Sequence, residues 1–492
     1  MSFLAVDIGS SACKAVAFTV GGDILARHSC GYTPDFPQPS HAEMDPRRFW
    51  HAVCECTQSV AKDLAEPVQT VCVSSHGETF VPINNAGEAI APAILNQDNR
   101  ATQEASWLEK QLGRKRLFEI TGLVTHPMYP VPKLLWLRKY QPDVFASAGF
   151  LTVIGYILAR LGLPPYVDYS LASRYLAFNV RKGRWAEEIL EAADLRLDSL
   201  PAPVAAGTVV GKLSANAASE LGVPCGTSIV LGGHDQPCGA LGLGVIQNGQ
   251  AADSMGTYEC VLVASDQPVL SDAALEGSLN SYCHVVPGKF VTIAYFPSGI
   301  MVKWFHDLLY GDDAARAESE HYAVLEADVP EGPTGLCITP NLIGTCNPDF
   351  DPKVRAMMYG LNPGTGRGEI YKGILEGIAC ELSLVTRLLT HAVGEFEEVR
   401  VSGGGTRSRL GLKLRSALTK KRLHVMHSPE AVCLGGAILA GVAIGEYKSV
   451  EEAVRAVVHE NAVVEPDASV AAEYAEQLKQ YERWRSVPKE ER

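Results

Sequence analysis

The sequence predicts an α/β protein made of two related halves, and three observations predict it. Short apolar runs of strand length alternate with longer stretches of helical periodicity along most of the chain. A strand–turn–strand pattern, AVDIGSSACKAVAFT at residues 5–19, is echoed by AADSMGTYECVLVAS at 251–265, with Gly9-Ser10 and Gly256-Thr257 as the matched turn residues. At 492 residues, the chain is also too long for one ordinary core. The halves are expected to meet near Gln247–Gly249, giving domains at 1–248 and 249–492.

Residues 3–20 read as a strand, a tight Gly-Ser-Ser turn and a second strand, closed by Gly21-Gly22. This is hairpin punctuation rather than a βαβ crossover. Helical periodicity runs from Asp45 to about Leu64, with Pro46 suited to the first turn. Strand-like runs follow at 69–74 and 79–83, then helix-like stretches at 100–112 and 132–140. Ile229–Leu231 reads as a buried strand that enters the glycine-rich segment LGGHDQPCGALGLG, 231–244. VRVSGGGTRSRLGLKLRSAL, 399–418, is a strand, a glycine turn and a helix with Leu410, Leu414 and Leu418 on one face. The tail from Glu473 to Arg492 reads as a charged, solvated helix without chemistry.

An apolar content of 47% and a charged content of 20% are those of a globular protein. With 43 basic and 56 acidic residues, the net charge is −13, which argues against nucleic acid as a partner. Thirteen cysteines lie scattered, Cys54 and Cys56 closest, as free thiols in a reducing compartment do. No CxxC or zinc-type spacing occurs, so no structural metal is expected. The N-terminus runs straight into a strand, and no apolar run reaches the roughly 18 residues that span a bilayer. A cytoplasmic enzyme with no membrane partner is expected.

Four constellations carry chemistry. Asp235 sits among glycines that let backbone or ligand approach closely, although such an aspartate also serves as an ordinary turn residue. In DIGSSACK, Gly9, Ser10 and Ser11 offer backbone N–H groups and hydroxyls that suit phosphate oxygens. Lys14 supplies a compensating charge there, and Asp7 is placed to hold Mg²⁺ through water. An ordinary hairpin is the competing reading. The SGGGTRSR turn lets a flat ring or a phosphate lie against backbone. It is no Rossmann fingerprint, because Ser408 stands at the third glycine and the nearest acid, Glu430, is too distant; no Walker A spacing occurs either. Finally, His76, Glu78, Asn96, Gln97, Asp98 and Arg100 form a dense polar array between apolar strands, as a small polyol or sugar requires. The alternative is a structural Asp98–Arg100 ion pair and a satisfied core histidine at 76.

In this order, the motifs over about residues 3–460 resemble the FGGY family of carbohydrate kinases, in the actin-like ATPase superfamily. DIGSSACKAVAF and DSMGTYECV resemble its two phosphate loops, and GGHDQPCGALG the segment with its catalytic aspartate. HPMYPVPKLLWLRKYQP, with Lys133 and Trp136 in register, resembles its N-terminal signature. SGIMVKW, PNLIGTCNPDFDP and YKGILEGIACEL resemble later blocks, and SGGGTRSRL with SPEAVCLGGAILAG the adenosine-binding end.

The resemblance implies two ribonuclease-H-like domains flanking a deep catalytic cleft, with ATP and Mg²⁺ as cofactors. Asp235 would be the base, and Asp7 would help place Mg²⁺. Gly9, Ser10, Ser11, Lys14, Gly256 and Thr257 would hold phosphates, with Gly299 and Lys303 nearby. Gly404, Gly405 and Arg409 would meet adenosine. The sugar pocket would include His76, Gly77, Glu78, Asn96 and Gln97, besides Asp235.

Where the family's glycerol kinases grip the polyol with an Arg-Glu pair, this chain has Gly77-Glu78, and Asn96 stands in place of their tryptophan. Xylulokinases carry Met-His where Gly77-Glu78 stand, so neither assignment is supported. A small sugar, ketose or polyol is the expected acceptor, and a homodimer the default assembly. The alternative is a non-metabolic actin-like ATPase of chaperone or filament type, which has no need of the polar array at 76–100. A degenerate sugar-binding regulator would have lost the base or the loops, and neither is lost.

Overall fold

The computed structural model describes residues 2–311 and 318–486. The first half begins with β1 (Ser2–Ile8), β2 (Ala12–Thr19) and β3 (Ile24–Gly31), an antiparallel meander. Helix α1 (Pro46–Lys62) follows; the Asp45 carboxylate caps it, and Phe49, Trp50, Val53, Cys56 and Val60 form its buried face. It leads into β4 (Val68–Ser75), which lies parallel to β1. β1 and β4 are nearly continuous buried runs, as strands covered on both faces are. Next come α2 (Pro130–Tyr140), the short α3 (Tyr169–Ser173), β5 (Val209–Lys212) and β6 (Ser228–His234). β6 pairs parallel with β4 and antiparallel with β5, and the sheet order is β5-β6-β4-β1-β2-β3. Helix α4 (Asp235–Gly242) leaves the end of β6 directly.

The second half holds β7 (Ala251–Met255), β8 (Tyr258–Ser265), β9 (Asn280–Cys283), β10 (Phe290–Pro297), β11 (Glu398–Ser402), β12 (Arg422–Met426) and β13 (Glu460–Val464). Their order is β9-β10-β8-β7-β11-β12-β13. β10, β8 and β7 are antiparallel, β11 and β12 are parallel to β7, and β13 is an antiparallel edge. Apart from β9, this is the pairing scheme of the first sheet, strand for strand. The two glycine-tipped turns therefore occupy equivalent places, between the first two strands of each sheet. Helices α5 (Gly299–Tyr310), α6 (Arg367–Val393), α7 (Arg409–Thr419), α8 (Ala431–Ala443) and α9 (Ala475–Ser486) complete this half.

The halves share an apolar layer. α8 comes late in the chain but packs on the first sheet, where Leu434, Ala437 and Ile438 join Phe3, Ala5, Val16, Cys72 and Val230. It crosses α4 at backbone contact. A Cβ on Gly242 would fall 1.9 Å from the Ala431 carbonyl oxygen, and one on Gly435 1.9 Å from that of Cys238.

The expectation of a solvated tail is corrected over residues 473–486; 487–492 lie outside the described residues. Tyr474 and Tyr481 are buried, and their hydroxyls donate to Glu376 (2.8 Å) and Glu381 (2.7 Å) on α6. Arg485 also pairs with Glu381 at 2.9 Å. Tyr481 lies on α9 and Tyr474 immediately precedes it, and the two dock this end of the chain on α6 while the charged residues between them dominate the composition. Among the described residues, no helix is long and apolar enough to cross a membrane.

Candidate active site

Asp235 stands where β6 becomes α4, and the residues before it explain the position. A Cβ on Gly232 would lie 2.6 Å from the Val73 carbonyl oxygen; Gly233, at φ +130°, would place one 2.8 Å from Asp168 Oδ2 and Ser170 Oγ. The strand end is thus threaded between β4 and the cap of α3. There Asp168 accepts from Ser170 N, Ser170 Oγ and Leu171 N, while Ser170 Oγ accepts from His234 N at 2.9 Å. Burial pushes the Asp168 carboxyl up to about 6 against these hydrogen bonds.

Asp235 Oδ1 accepts from Gln236 N at 2.7 Å and lies 3.2 Å from His234 Nε2. Burial, then the charges of Asp7 and Glu78, hold its pKa well above the usual carboxylate range. Its side chain keeps 23% of its exposure. Burial takes His234 down to about 3, so its ring is neutral at pH 7. With Asp235 ionised, its partners assign the tautomer: Nε2–H donates to Asp235, and Nδ1 accepts from the Tyr282 hydroxyl at 3.2 Å. Asp7 lies in register with Lys14 and Ser74 and accepts from Ser74 Oγ at 3.2 Å. Burial pushes Asp7 up to about 6 despite that bond and the Lys14 charge.

The Lys14 ammonium, expected to face phosphates, is 2.6 Å from Glu430 Oε2, and Arg27 reaches the other Glu430 oxygen at 3.3 Å. Glu430 precedes α8, whose packing on the first sheet brings it there.

The glycines of the second half converge. Gly299 N donates to the Gly256 carbonyl oxygen at 3.1 Å, and a Cβ on Gly299 would lie 2.4 Å from that oxygen. Gly403, at φ +96°, would place a Cβ 2.6 Å from the Met255 carbonyl oxygen, and Gly405 one 2.8 Å from Met255 Cβ. Gly404 faces open space. The second hairpin tip, with Thr257, therefore forms one backbone surface with the start of α5 and the glycine turn. In the first hairpin, Gly9 N donates to the Ala12 carbonyl oxygen at 2.9 Å; Ser10 is half-buried and Ser11 exposed. Lys303 is 71% exposed and pairs with Asp307 at 2.8 Å, while Arg409 is exposed at the start of α7.

On the expected sugar side, His76 has both nitrogens engaged: Nδ1 lies 2.8 Å from the Ile8 carbonyl oxygen and Nε2 2.8 Å from Thr79 Oγ1. These bonds are those of the core-histidine alternative, and they tie β1 to a threonine that also accepts from Asn96 N at 3.1 Å. Asp98 and Arg100 form the structural pair: Asp98 is fully buried, and Arg100 bonds both it and Glu43. Gln97 is exposed.

Glu78 is buried in the left-handed region at φ +61°, a conformation that tertiary contacts must hold. Lys133 of α2 supplies one, donating to the carbonyl oxygens of Leu95 (2.6 Å) and Glu78 (3.3 Å). Glu78 Oε1 lies 2.5 Å from Arg174 Nε. Burial alone would raise the Glu78 pKa, but the Arg174 guanidinium, by its charge and its hydrogen bond, brings it below the usual value.

Arg174, Tyr282, Ser170 and Glu430 are the site-building residues that the sequence reading missed. The cap of α3 was legible in DYS; nothing local marks Arg174.

Residues 2–242 match the profile of the FGGY family of carbohydrate kinases, N-terminal domain, and residues 251–444 match that of its C-terminal domain. The gluconokinase of Bacillus subtilis (strain 168) is 27% identical, covering 91% of this chain and 88% of its own. An autoinducer-2 kinase of Yersinia pestis bv. Antiqua (strain Angola) is 30% identical, covering 91% and 87%. In fold, a xylulose kinase from Lactobacillus acidophilus (22% identical) superposes with a TM-score of 0.90 over 99% of this chain and 98% of that one. The Plasmodium falciparum glycerol kinase solved with ADP (20% identical) gives 0.87 over 99% and 98%.

Proposed function

The chain belongs to the FGGY family of carbohydrate kinases, and we propose that it transfers the γ-phosphoryl group of ATP to a hydroxyl of a small sugar or polyol, with Asp235 as general base. The observation that carries this is the Asp235 carboxylate: it heads α4, its proton affinity is raised by burial, and its side chain still keeps 23% of its exposure. A base of raised pKa takes a hydroxyl proton more readily. Neutral His234 holds Oδ1, which leaves Oδ2 to receive that proton from the attacking hydroxyl.

Phosphoryl transfer otherwise asks for positioning and charge stabilisation. The two hairpin tips, with Gly9, Ser10, Ser11, Gly256 and Thr257, would hold the phosphates, and Gly299 would support the second tip. The open space at Gly404, beside Gly405, would receive adenosine, with Arg409 and Lys303 exposed. The Asp7 charge raises the Asp235 pKa, and two neighbouring carboxylates form a donor set that suits a divalent cation. Mg²⁺, held there chiefly by Asp7 through water, would supply neutralisation of the phosphoryl charge. Glu78 and Asn96 would meet the sugar, with His76 and Lys133 holding their loops.

The names of the relatives make gluconate and xylulose the first acceptors to test. ADP formation measured with and without gluconate, xylulose and glycerol is expected to require a sugar; sugar-independent turnover would overturn the proposal in favour of an actin-like ATPase.

A further inference from the structure

Arg174 follows α3 and is buried. Its Nε donates to Glu78 Oε1, and its guanidinium carbon lies 4.6 Å from the centre of the Tyr282 ring and 5.2 Å from that of Tyr129. Nη1 is buried and has no acceptor. Asn96 Oδ1 is a buried acceptor without a donor, and Lys133 ties the Asn96 loop to the Glu78 backbone. Buried polar groups are almost always paired, so the orphan Arg174 donor beside the Glu78 carboxylate, with an orphan acceptor on the loop tied to the Glu78 backbone, points to a polar ligand.

The position of Arg174 also explains Gly77. A Cβ there would lie 3.0 Å from His234 Nε2 and 3.2 Å from Arg174 Cγ. A side chain at 77 would thus compete for space with the His234 ring and the Arg174 stem, and glycine leaves that space to them.

We infer that Arg174 determines sugar specificity: Nη1 donates to one oxygen of the acceptor while the Glu78 carboxylate accepts from the adjacent hydroxyl. Because Glu78 already compensates the guanidinium charge, the pair presents a donor and an acceptor with little net charge. It therefore reads neighbouring hydroxyl or carbonyl oxygens rather than a carboxylate. This rests on the sugar-kinase reading, and the test separates the two.

Arg174→Met is compared with wild type on D-xylulose, D-gluconate and glycerol, each beside analogues lacking one hydroxyl. Losing a hydrogen bond from a charged donor is expected to lower kcat/KM for the accepted sugar about 10- to 100-fold, with KM for ATP changed less than about two-fold. The discrimination between that sugar and the analogue lacking the gripped hydroxyl is expected to collapse, and Arg174→Lys to restore part of it. Arg174→Met leaves Glu78 buried without its partner, so the double variant with Glu78→Gln is measured alongside and is expected to lose the same discrimination. Discrimination retained in both variants makes Arg174 a structural residue and overturns the inference. Calorimetric binding of the same compounds needs no turnover. Binding that weakens in Arg174→Met without phosphorylation by wild type overturns the kinase reading and supports this one; absence of binding to wild type overturns both.

Discussion

Asp235 is held from two sides, by Gln236 N and by the His234 ring, and one carboxylate oxygen is left for chemistry. Asp235→Asn keeps the shape and removes the base, so turnover is expected to fall about 10²- to 10⁴-fold while calorimetry shows sugar binding largely intact. Turnover that stays unchanged would remove Asp235 from the mechanism. Asp7 gives a pH-dependent prediction. Its carboxyl titrates at about 6 in the folded chain against an ordinary value of 3.8. The folded state then binds a proton that the unfolded state has released, so this stabilisation is full below about pH 3.8 and is lost as pH rises through 6. Asp7→Asn is expected to melt higher than wild type at pH 7, with the gap closing towards pH 4, and to lose activity. Equal melting curves across that range would count against it. Among single residues, Asp235 was legible because glycines on both sides announce a close approach. His76 was not, since a buried histidine reads the same in sequence whether its nitrogens meet backbone or ligand.

At the level of elements, the glycines mark where one backbone touches another. A methyl on Gly435 would meet the Cys238 carbonyl oxygen at 1.9 Å, and neither helix of that crossing has a flexible side chain to yield. Gly435→Ala is expected to destabilise the protein by about 1–3 kcal/mol or more, read by chemical denaturation. Gly299→Ala would push the Gly256 turn from 2.4 Å away, so KM for ATP is expected to rise with KM for sugar nearly unchanged. The strands, the hairpins and α1 could be read from apolar periodicity and turn residues. The docking of α9 could not, because its charged residues outnumber Tyr481, the tyrosine within it that is buried.

Across the whole molecule, Lys14 and Arg27 of the first sheet meet Glu430 at the head of α8, joining the halves. Lys14 bonded to Glu430 is not free for a phosphate. Glu430→Gln is expected to lower KM for ATP several-fold if Lys14 exchanges partners on nucleotide binding; an unchanged KM with a lower melting temperature would make the pair a strap between the halves. The sequence by itself determined the two glycine-tipped hairpins, the aspartate between glycines and the strand–glycine–helix turn, because each depends on residues within a few positions of one another. Only the tertiary structure decided that Arg174 meets Glu78, that Glu430 takes Lys14, and that both His76 nitrogens are engaged by Ile8 and Thr79. The first two contacts join residues 96 and 416 positions apart. Such approaches are set by strand order and by the crossing of α4 and α8, and no local pattern of side chains encodes them.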